Sequence, residues 1–362
     1  MRSIIKLILW VSLLPFYCCQ HINDQEVFNG NIILVNDNIR QEKNAAVKEV
    51  HLDGDNYGYV SAYDSLLIFM NPKLDSHFYQ VFNTYTGEEL GQFVKKGLGP
   101  DEIISTAPIV QFYKENEELK TLLFAANEEK VWIWNISRSL KQQATIIDTI
   151  YPCFWKKQGI CYNEVFYVNN TFLMKVPAYR IGEYDASLPY YQQSKIGSQI
   201  PMKEFAVYKK TIKNVDSDII PETFYYSNDA LKPDGTKIVQ AMLNLPQLNI
   251  VDLKSGKVTG YRLKGGHDFS VFKTDNKLKS HFIRIQADDE FIFAVYWGKD
   301  KWRAEFPYID TIYVFNWDGE LVQKIKTDCD IDEIALDNIK KRLYLTRPKH
   351  DEVYYIDLSN LY

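Results

Sequence analysis

Residues 312–325 read IYVFNWDGELVQKI. Apolar and aromatic side chains lead up to Asn316, Asp318-Gly319 turns the chain, and a second apolar run leaves the turn. Glycine supplies the positive φ that a tight loop needs, and β-branched and aromatic side chains suit a pleated surface, so the stretch predicts a β-hairpin. The pattern returns at 79–94, YQVFNTYTGEELGQFV, around Asn83 and Thr86-Gly87, and at 248–263, LNIVDLKSGKVTGYRL, around Asp252 and Ser255-Gly256. Weaker copies stand at VWIWNISRS, where Asn135 has no glycine after it, at VYYIDLSN around Asp357, and at YRIGEYDASL around Asp185.

In order, the six markers fall 52, 50, 67, 64 and 41 residues apart. A four-stranded antiparallel blade takes roughly 40 to 50 residues, so each interval holds one blade, the longer two with insertions. The expected fold is all-β: a six-bladed β-propeller of four-stranded antiparallel blades in a single domain over 31–362. Only Leu358 to Tyr362 follow the last marker, too few for a returning strand, and an open outer edge invites mispairing. An N-terminal strand, Asn31 to Val35 or Val47 to Leu52, is therefore expected to complete the last blade and close the ring. Pro233-Asp234-Gly235 reads as a strand–turn–strand within 231–240. Residues 177–222 carry scattered prolines and read as a long insertion with a short helix near 203–210.

With 46% apolar and 14% aromatic residues, the chain has enough to bury for a packed globule. The formal charge is −5, and removal of residues 1–18 takes away Arg2 and Lys6 to leave −7, so no basic face and no nucleic-acid partner are implied. Leu7 to Tyr17 form an apolar run of 11 residues behind that basic start, too short to span a bilayer as a helix and suited to a signal peptide over 1–18. Cys18-Cys19 follow at once. The segment resembles a bacterial lipoprotein signal, which implies lipidation at Cys19, with Cys18 the alternative, and a tether over 19–30. Ordinary secretion with two passenger cysteines is the plainer reading. The resemblance implies a cell-envelope address, as an outer-membrane lipoprotein facing the periplasm or the surface.

Of the remaining cysteines, Cys153 and Cys161 are spaced to close a small disulfide loop in an oxidising compartment, with Cys329 left single. Their spacing lacks the close Cys-x-x-Cys pair of a zinc site. Calcium has two candidate positions, Asp53 with Asp55, and Asp328, Asp330 and Asp332 before Glu333, although neither reproduces a twelve-residue calcium loop. The Gly97-Leu98-Gly99-Pro100 stretch lacks the third glycine of a dinucleotide loop and has Asp101-Glu102 where phosphate would sit, so it reads as an inter-blade turn. The histidines show no His-Glu-x-x-His spacing, and there is no Gly-x-Ser-x-Gly elbow. Trp297 and Trp302 flank the charged stretch 298–301 and are candidate binding aromatics on a blade-top loop, although packing between blades is the ordinary fate of such rings.

The Cys18-Cys19 signal, TGEELGQFVKKGLGPDEI at 86–103 and LKPDGTKIV at 231–239 together resemble the TolB-like six-bladed propeller lipoproteins of Bacteroides-type bacteria. Gly97, Gly99, Pro100 and Glu102 match that group's Gly-x-Gly-Pro-x-Glu turn, and Pro233 to Gly235 match its Pro-Asp-Gly hairpin. The resemblance implies fold and address and brings no reaction. The expected role is a membrane-anchored binding or scaffold propeller with an unknown protein or glycan partner. The rival is a propeller glycosidase or lyase whose carboxylates meet across blades, which sequence spacing does not reveal.

Overall fold

The computed structural model describes residues 24–360 apart from 40–41, 153–162, 177–178, 181–182, 185–189, 199, 210–223, 274–277, 301–307 and 348–350. Cys18, Cys19, Cys153, Cys161, Asp185 and Trp302 lie outside the described residues.

Six antiparallel sheets follow one another along the chain and form a ring, a six-bladed β-propeller. The first strands of the blades, which face the axis, are Tyr59–Tyr63, Phe112–Glu115, Glu164–Val168, Ser227–Leu231, Lys279–Ala287 and Ile334–Asp337. Each blade then meanders outward, as in blade 4 through Lys237–Met242 and Gln247–Asp252 to Val258–Leu263. Two faces result. The turns joining first to second and third to fourth strands share one, called the turn face below; the second-to-third turns and the links between blades share the other, the link face.

The core is divided among the seams between blades. Six buried apolar clusters each join residues of two neighbouring blades, for instance Phe166 and Tyr191 with Ile238 and Val251, or Phe293 and Val314 with Leu343 and Leu345. This follows from strand alternation, because successive side chains of a strand serve opposite seams and both faces of an inner blade strand are therefore apolar.

The N-terminal segment forms a strap around the rim. After helix α1 (Asp24–Val27), strand β1 (Asn31–Val35) pairs in parallel with Val258–Leu263 of blade 4, and β2 (Glu42–Ala45) pairs in parallel with Leu321–Thr327 of blade 5. Strand β3 (Lys48–Val50) then pairs antiparallel with Val353–Asp357 as the outer strand of blade 6. The ring is thus closed by the second expected segment, and Asn31–Val35 instead caps the edge of blade 4. The expected tether over 19–30 is too long: Val27 and Phe28 are fully buried, and Asp24 makes a two-pronged ion pair with Arg262 at 2.6 and 3.0 Å. Gly30 is required where the strap meets blade 4, since a Cβ there would lie 2.2 Å from the Val258 carbonyl oxygen.

The marker residues end the third strands, and their side chains explain why. Asn83 Oδ1 accepts from Tyr85 N (2.8 Å), Asp252 Oδ1 from Ser255 N (2.6 Å), Asn316 Oδ1 from Asp318 N (3.1 Å) and Asp357 Oδ1 from Ser359 N (3.0 Å). A short side-chain acceptor thus satisfies the amides that the turning chain takes out of the sheet. Asn135, which has no glycine behind it, caps helix α2 (Ile136–Gln142) by accepting from Arg138 N at 3.0 Å, and the helix replaces the hairpin turn. In blade 3 the equivalent residue is Lys195, at the end of Tyr191–Lys195, ten residues beyond the expected Asp185. A lysine side chain cannot accept, and the turn is held by Ser198 N donating to the Lys195 carbonyl at 2.9 Å. Six blades is the correct count, read with one marker misplaced.

The insertion expected over 177–222 is smaller than that range. Tyr191–Lys195 and Lys203–Phe205 are the third and fourth strands of blade 3, so 203–205 is strand where a helix was expected. Phe205 is buried opposite Tyr191, and cross-strand burial outweighs the mixed local composition. The Pro233-Asp234-Gly235 turn is as read: Gly235 has φ +70° and Asp234 Oδ1 accepts from Thr236 N at 2.8 Å.

Candidate functional site

The turn face opens into a cavity of about 560 Å³ on the propeller axis, lined by residues from all six blades. Its wall is built from the ends of the first strands and the hairpins that follow them. Two first-to-second hairpins of the turn face are two-residue turns with both φ angles positive, Asn116-Glu117 and Asn169-Asn170, and the second of them lines the cavity. Asparagine tolerates this left-handed conformation, and its use places amide groups at the rim.

Aromatic side chains form much of the wall. The rings of Tyr113 and Tyr167 stack at 4.4 Å with 13° between planes, and Tyr63 lies against Phe112 at 5.6 Å. Gln111 fixes the spacing of blades 2 and 3: its Oε1 accepts from Tyr167 N at 2.8 Å and its Nε2 donates to the Tyr167 carbonyl at 2.9 Å, as a strand partner would. Burial, with Glu115 adding, pushes the Tyr113 phenol well above its usual range, so it is a neutral donor. The Tyr167 hydroxyl donates to Asn170 Oδ1 at 2.5 Å. Asn169, Gln286 and Asn338 contribute further amides, and Lys114 is the one charged residue among the described residues that line the cavity. No Asp or Glu is among the described residues of the wall.

The link face holds a smaller cavity of about 310 Å³ beside blades 5, 6 and 1. Arg284 there forms an ion pair with Glu333, and burial raises the Glu333 carboxyl despite that partner. A third polar group lies inside the seam between blades 3 and 4. Lys175 Nζ stands 3.2 Å from Asp229 Oδ1 and 3.7 Å from Glu164 Oε2, and donates to the Ser227 carbonyl at 2.8 Å. Tyr191 OH and Ser227 Oγ both donate to Asp229, at 2.5 and 2.6 Å. Burial drives the Glu164 carboxyl up to about 7, with Lys175 opposing and Asp229 reinforcing, and Glu164 Oε2 has no hydrogen-bond partner. This cluster opens on none of the cavities described above and organises the seam.

Of the residues singled out in the sequence, Pro233 and Gly235 line the turn-face cavity, and the described candidate site residues lie elsewhere. Trp297 belongs to strand Phe291–Asp300 and packs against the apolar cluster between blades 5 and 6, so it is not on a blade-top loop. Asp53 is exposed beside His51 at 3.7 Å, and Asp330 Oδ1 accepts from Ile309 N at 2.7 Å. Among the described residues no three His, Cys, Asp or Glu side chains gather as a metal-binding group. Cys329 is buried and free. The 97–102 stretch is a self-closing link: Glu102 Oε2 accepts from Gly99 N at 2.9 Å, and a Cβ on Gly97 would meet that same oxygen at 1.9 Å. The carboxylate thus fills the space a phosphate would need. Tyr63, Phe112, Tyr113 and Tyr167 carry no mark in the sequence; the local signals at the site are the Asn169-Asn170 and Pro233-Asp234-Gly235 turns.

No curated protein matches the chain in sequence. Among solved structures, a member of the DUF4221 family from Bacteroides vulgatus shares 13% identity and a TM-score of 0.56, with 88% of this chain and 96% of that one covered. A candidate exported protein from Bacteroides fragilis shares 11% identity and a TM-score of 0.51, with 87% and 88% covered. At these identities the likeness is one of fold. The profile of the TolB-like 6-blade propeller-like family matches residues 37–338, which is most of the sequence, and the chain therefore belongs to the TolB-like six-blade propeller family.

Proposed function

We propose that this propeller is an exported, lipid-anchored binding protein that holds a neutral, hydroxyl-rich ligand, a glycan segment, in its turn-face cavity. The observation that carries the proposal is the wall: paired aromatic rings and amides with no carboxylate among its described residues. Aromatic faces pack on the C–H faces of a sugar ring, and amides exchange hydrogen bonds with its hydroxyls. About 560 Å³ lies within the size of ordinary small-ligand sites. A propeller glycosidase needs two carboxylates about 5 to 10 Å apart at the bound sugar. The described residues of the wall offer no such pair, which favours binding over turnover.

The address rests on Arg2, Lys6, the apolar run 7–17 and Cys18-Cys19, and a structural neighbour named as a candidate exported protein supports it. Lipidation is assigned to Cys19. The test has two arms. Palmitate labelling of the expressed full chain is expected to give a signal lost in Cys19→Ala; loss only in Cys18→Ala moves the anchor to Cys18. A glycan array probed with the labelled protein is expected to return neutral oligosaccharides, and an array without a specific hit overturns the ligand assignment.

A further inference from the structure

We infer that the link-face cavity is a second binding site, built for a small zwitterion of the amino acid type. The site is independent of the turn-face ligand, because a separate set of side chains builds it.

The cavity, of about 310 Å³, is at the small end of the range for ligand sites. It lies at the other end of inner strands that also serve the turn face: Lys279–Ala287 gives Gln286 to the turn-face cavity and Arg284 to this one, and Tyr59–Tyr63 gives Tyr63 and Tyr59 in the same way. Backbone pairing sets its polar side. Asp332 N donates to the Thr346 carbonyl at 2.9 Å and Thr346 N to the Glu333 carbonyl at 3.1 Å, which fixes two acidic residues beside Arg347. The segment entering blade 1 is pinned as well. Asn56 Nδ2 donates to the Asp351 carbonyl at 2.8 Å, and Gly58 lies so close to the second strand that a Cβ would meet the Met70 carbonyl oxygen at 2.1 Å. Tyr57 and Tyr59, both exposed, stand on that segment, and Lys73 Nζ lies over the Tyr57 ring, 3.5 Å from its centroid. The wall is therefore formed before a ligand arrives.

The charges of the wall name the ligand class. Arg284, Arg347, Asp332 and Glu333 are its charged residues among those described, and they balance. Arg284 pairs with Glu333, which is buried, and burial raises that carboxyl even so, with Asp332 adding to the rise; further positive charge would stabilise it. Arg347 is held by Glu352 at one Nη (2.5 Å), while its Nε has no hydrogen-bond partner. Such a donor calls for an acceptor, and a carboxylate satisfies Nε and an Nη together in one two-pronged contact. A simple anion would bring its charge beside Asp332 and Glu333 with nothing to offset it. A ligand that carries an ammonium as well as a carboxylate meets both halves of the wall, and an α-amino acid joins the two groups on one carbon. Phe69 and Pro72, in the same wall, give its side chain an apolar seat.

The test is calorimetric titration of the full chain with L-leucine and L-phenylalanine, and with two analogues that each lack one charge, N-acetyl-L-phenylalanine and L-phenylalanine amide. At least one of the two amino acids is expected to bind, and both analogues to bind at least about tenfold more weakly than L-phenylalanine. Arg347→Gln and Asp332→Asn, both at partly or fully exposed positions, are each expected to weaken amino acid binding by about tenfold or more while the melting temperature is kept. Absence of binding by both amino acids at millimolar concentration overturns the site. N-acetyl-L-phenylalanine binding as tightly as L-phenylalanine overturns the zwitterion in favour of a simple anion, and the amide binding as tightly overturns it in favour of a cation. Amino acid binding that is unchanged in both variants places the ligand elsewhere and overturns the assignment to this cavity.

Discussion

The seam between blades 3 and 4 and the seam between blades 5 and 6 are built on the same strand order and hold together by different means. The first is aromatic and encloses Lys175 between Asp229 and Glu164. The second is mostly aliphatic, with Ile312, Ile325, Ile334, Leu343, Leu345 and Ile356 interlocked. Apolar burial is non-directional and scales with area, so the second seam is held mainly by shape, with the Arg284–Glu333 ion pair at its edge. A buried ion cluster adds little net stability over an apolar one, yet it penalises any arrangement that leaves a charge unpaired. The comparison teaches that one seam supplies stability while the other fixes which pairing is allowed and makes that choice dependent on pH.

The largest effect is expected from Lys175→Met, which leaves Asp229 buried with an uncompensated charge and should cost about 3 to 5 kcal/mol in urea unfolding. Leu345→Ala in the aliphatic seam removes packing only and should cost about 2 to 4 kcal/mol, with the same loss at pH 5 and pH 8. A Lys175→Met cost below that of a surface substitution would break the comparison. Glu164→Gln sharpens it. The Glu164 carboxyl has its folded-state pKa raised above the unfolded value, so the folded protein binds the extra proton. That contribution is complete below the unfolded pKa and is lost as pH rises through the folded value of about 7. Wild type should therefore lose stability between about pH 4.5 and 7 relative to the glutamine variant, which should be more stable at pH 8 by about 1 to 2 kcal/mol. Unfolding curves of the two proteins that stay parallel across that range would remove the pH dependence from this seam.

The smallest contrast lies in the turns. Asn83→Ala removes the acceptor for two turn amides and should cost about 1 kcal/mol, whereas Lys195→Ala at the matching place in blade 3 should change stability by no more than about 0.5 kcal/mol. Equal costs at the two sites would remove the reason given for blade 3's weak signature.

That pair of turns also explains how far the sequence could be read. Asn83, Asp252, Asn316 and Asp357 are legible because one local side chain both ends the strand and caps the turn. Lys195 leaves no such mark, so the third blade was counted on a neighbouring Asp185. Strand Lys203–Phe205 was missed for the same kind of reason: its strand character comes from the burial of Phe205 against Tyr191, which local composition does not report. The closing strand followed from a missing edge, but the parallel strap of β1 and β2 adds strands beyond four and has no repeat of its own. Of the site, the Asn169-Asn170 and Pro233-Asp234-Gly235 turns are local. The stacking of Tyr113 on Tyr167 joins two blades 54 residues apart, and only the closed ring brings them together.

The cavity is the central claim, and the direct measurement is calorimetric titration of an array-selected neutral oligosaccharide into wild type, Tyr113→Ala and Tyr167→Ala. The account predicts binding to wild type, weakening by about tenfold or more in each variant (about 1.4 kcal/mol) with the melting temperature shifted little, and recovery of intact ligand afterwards. Equal affinity in all three proteins, or ligand returned as shorter products, would contradict it.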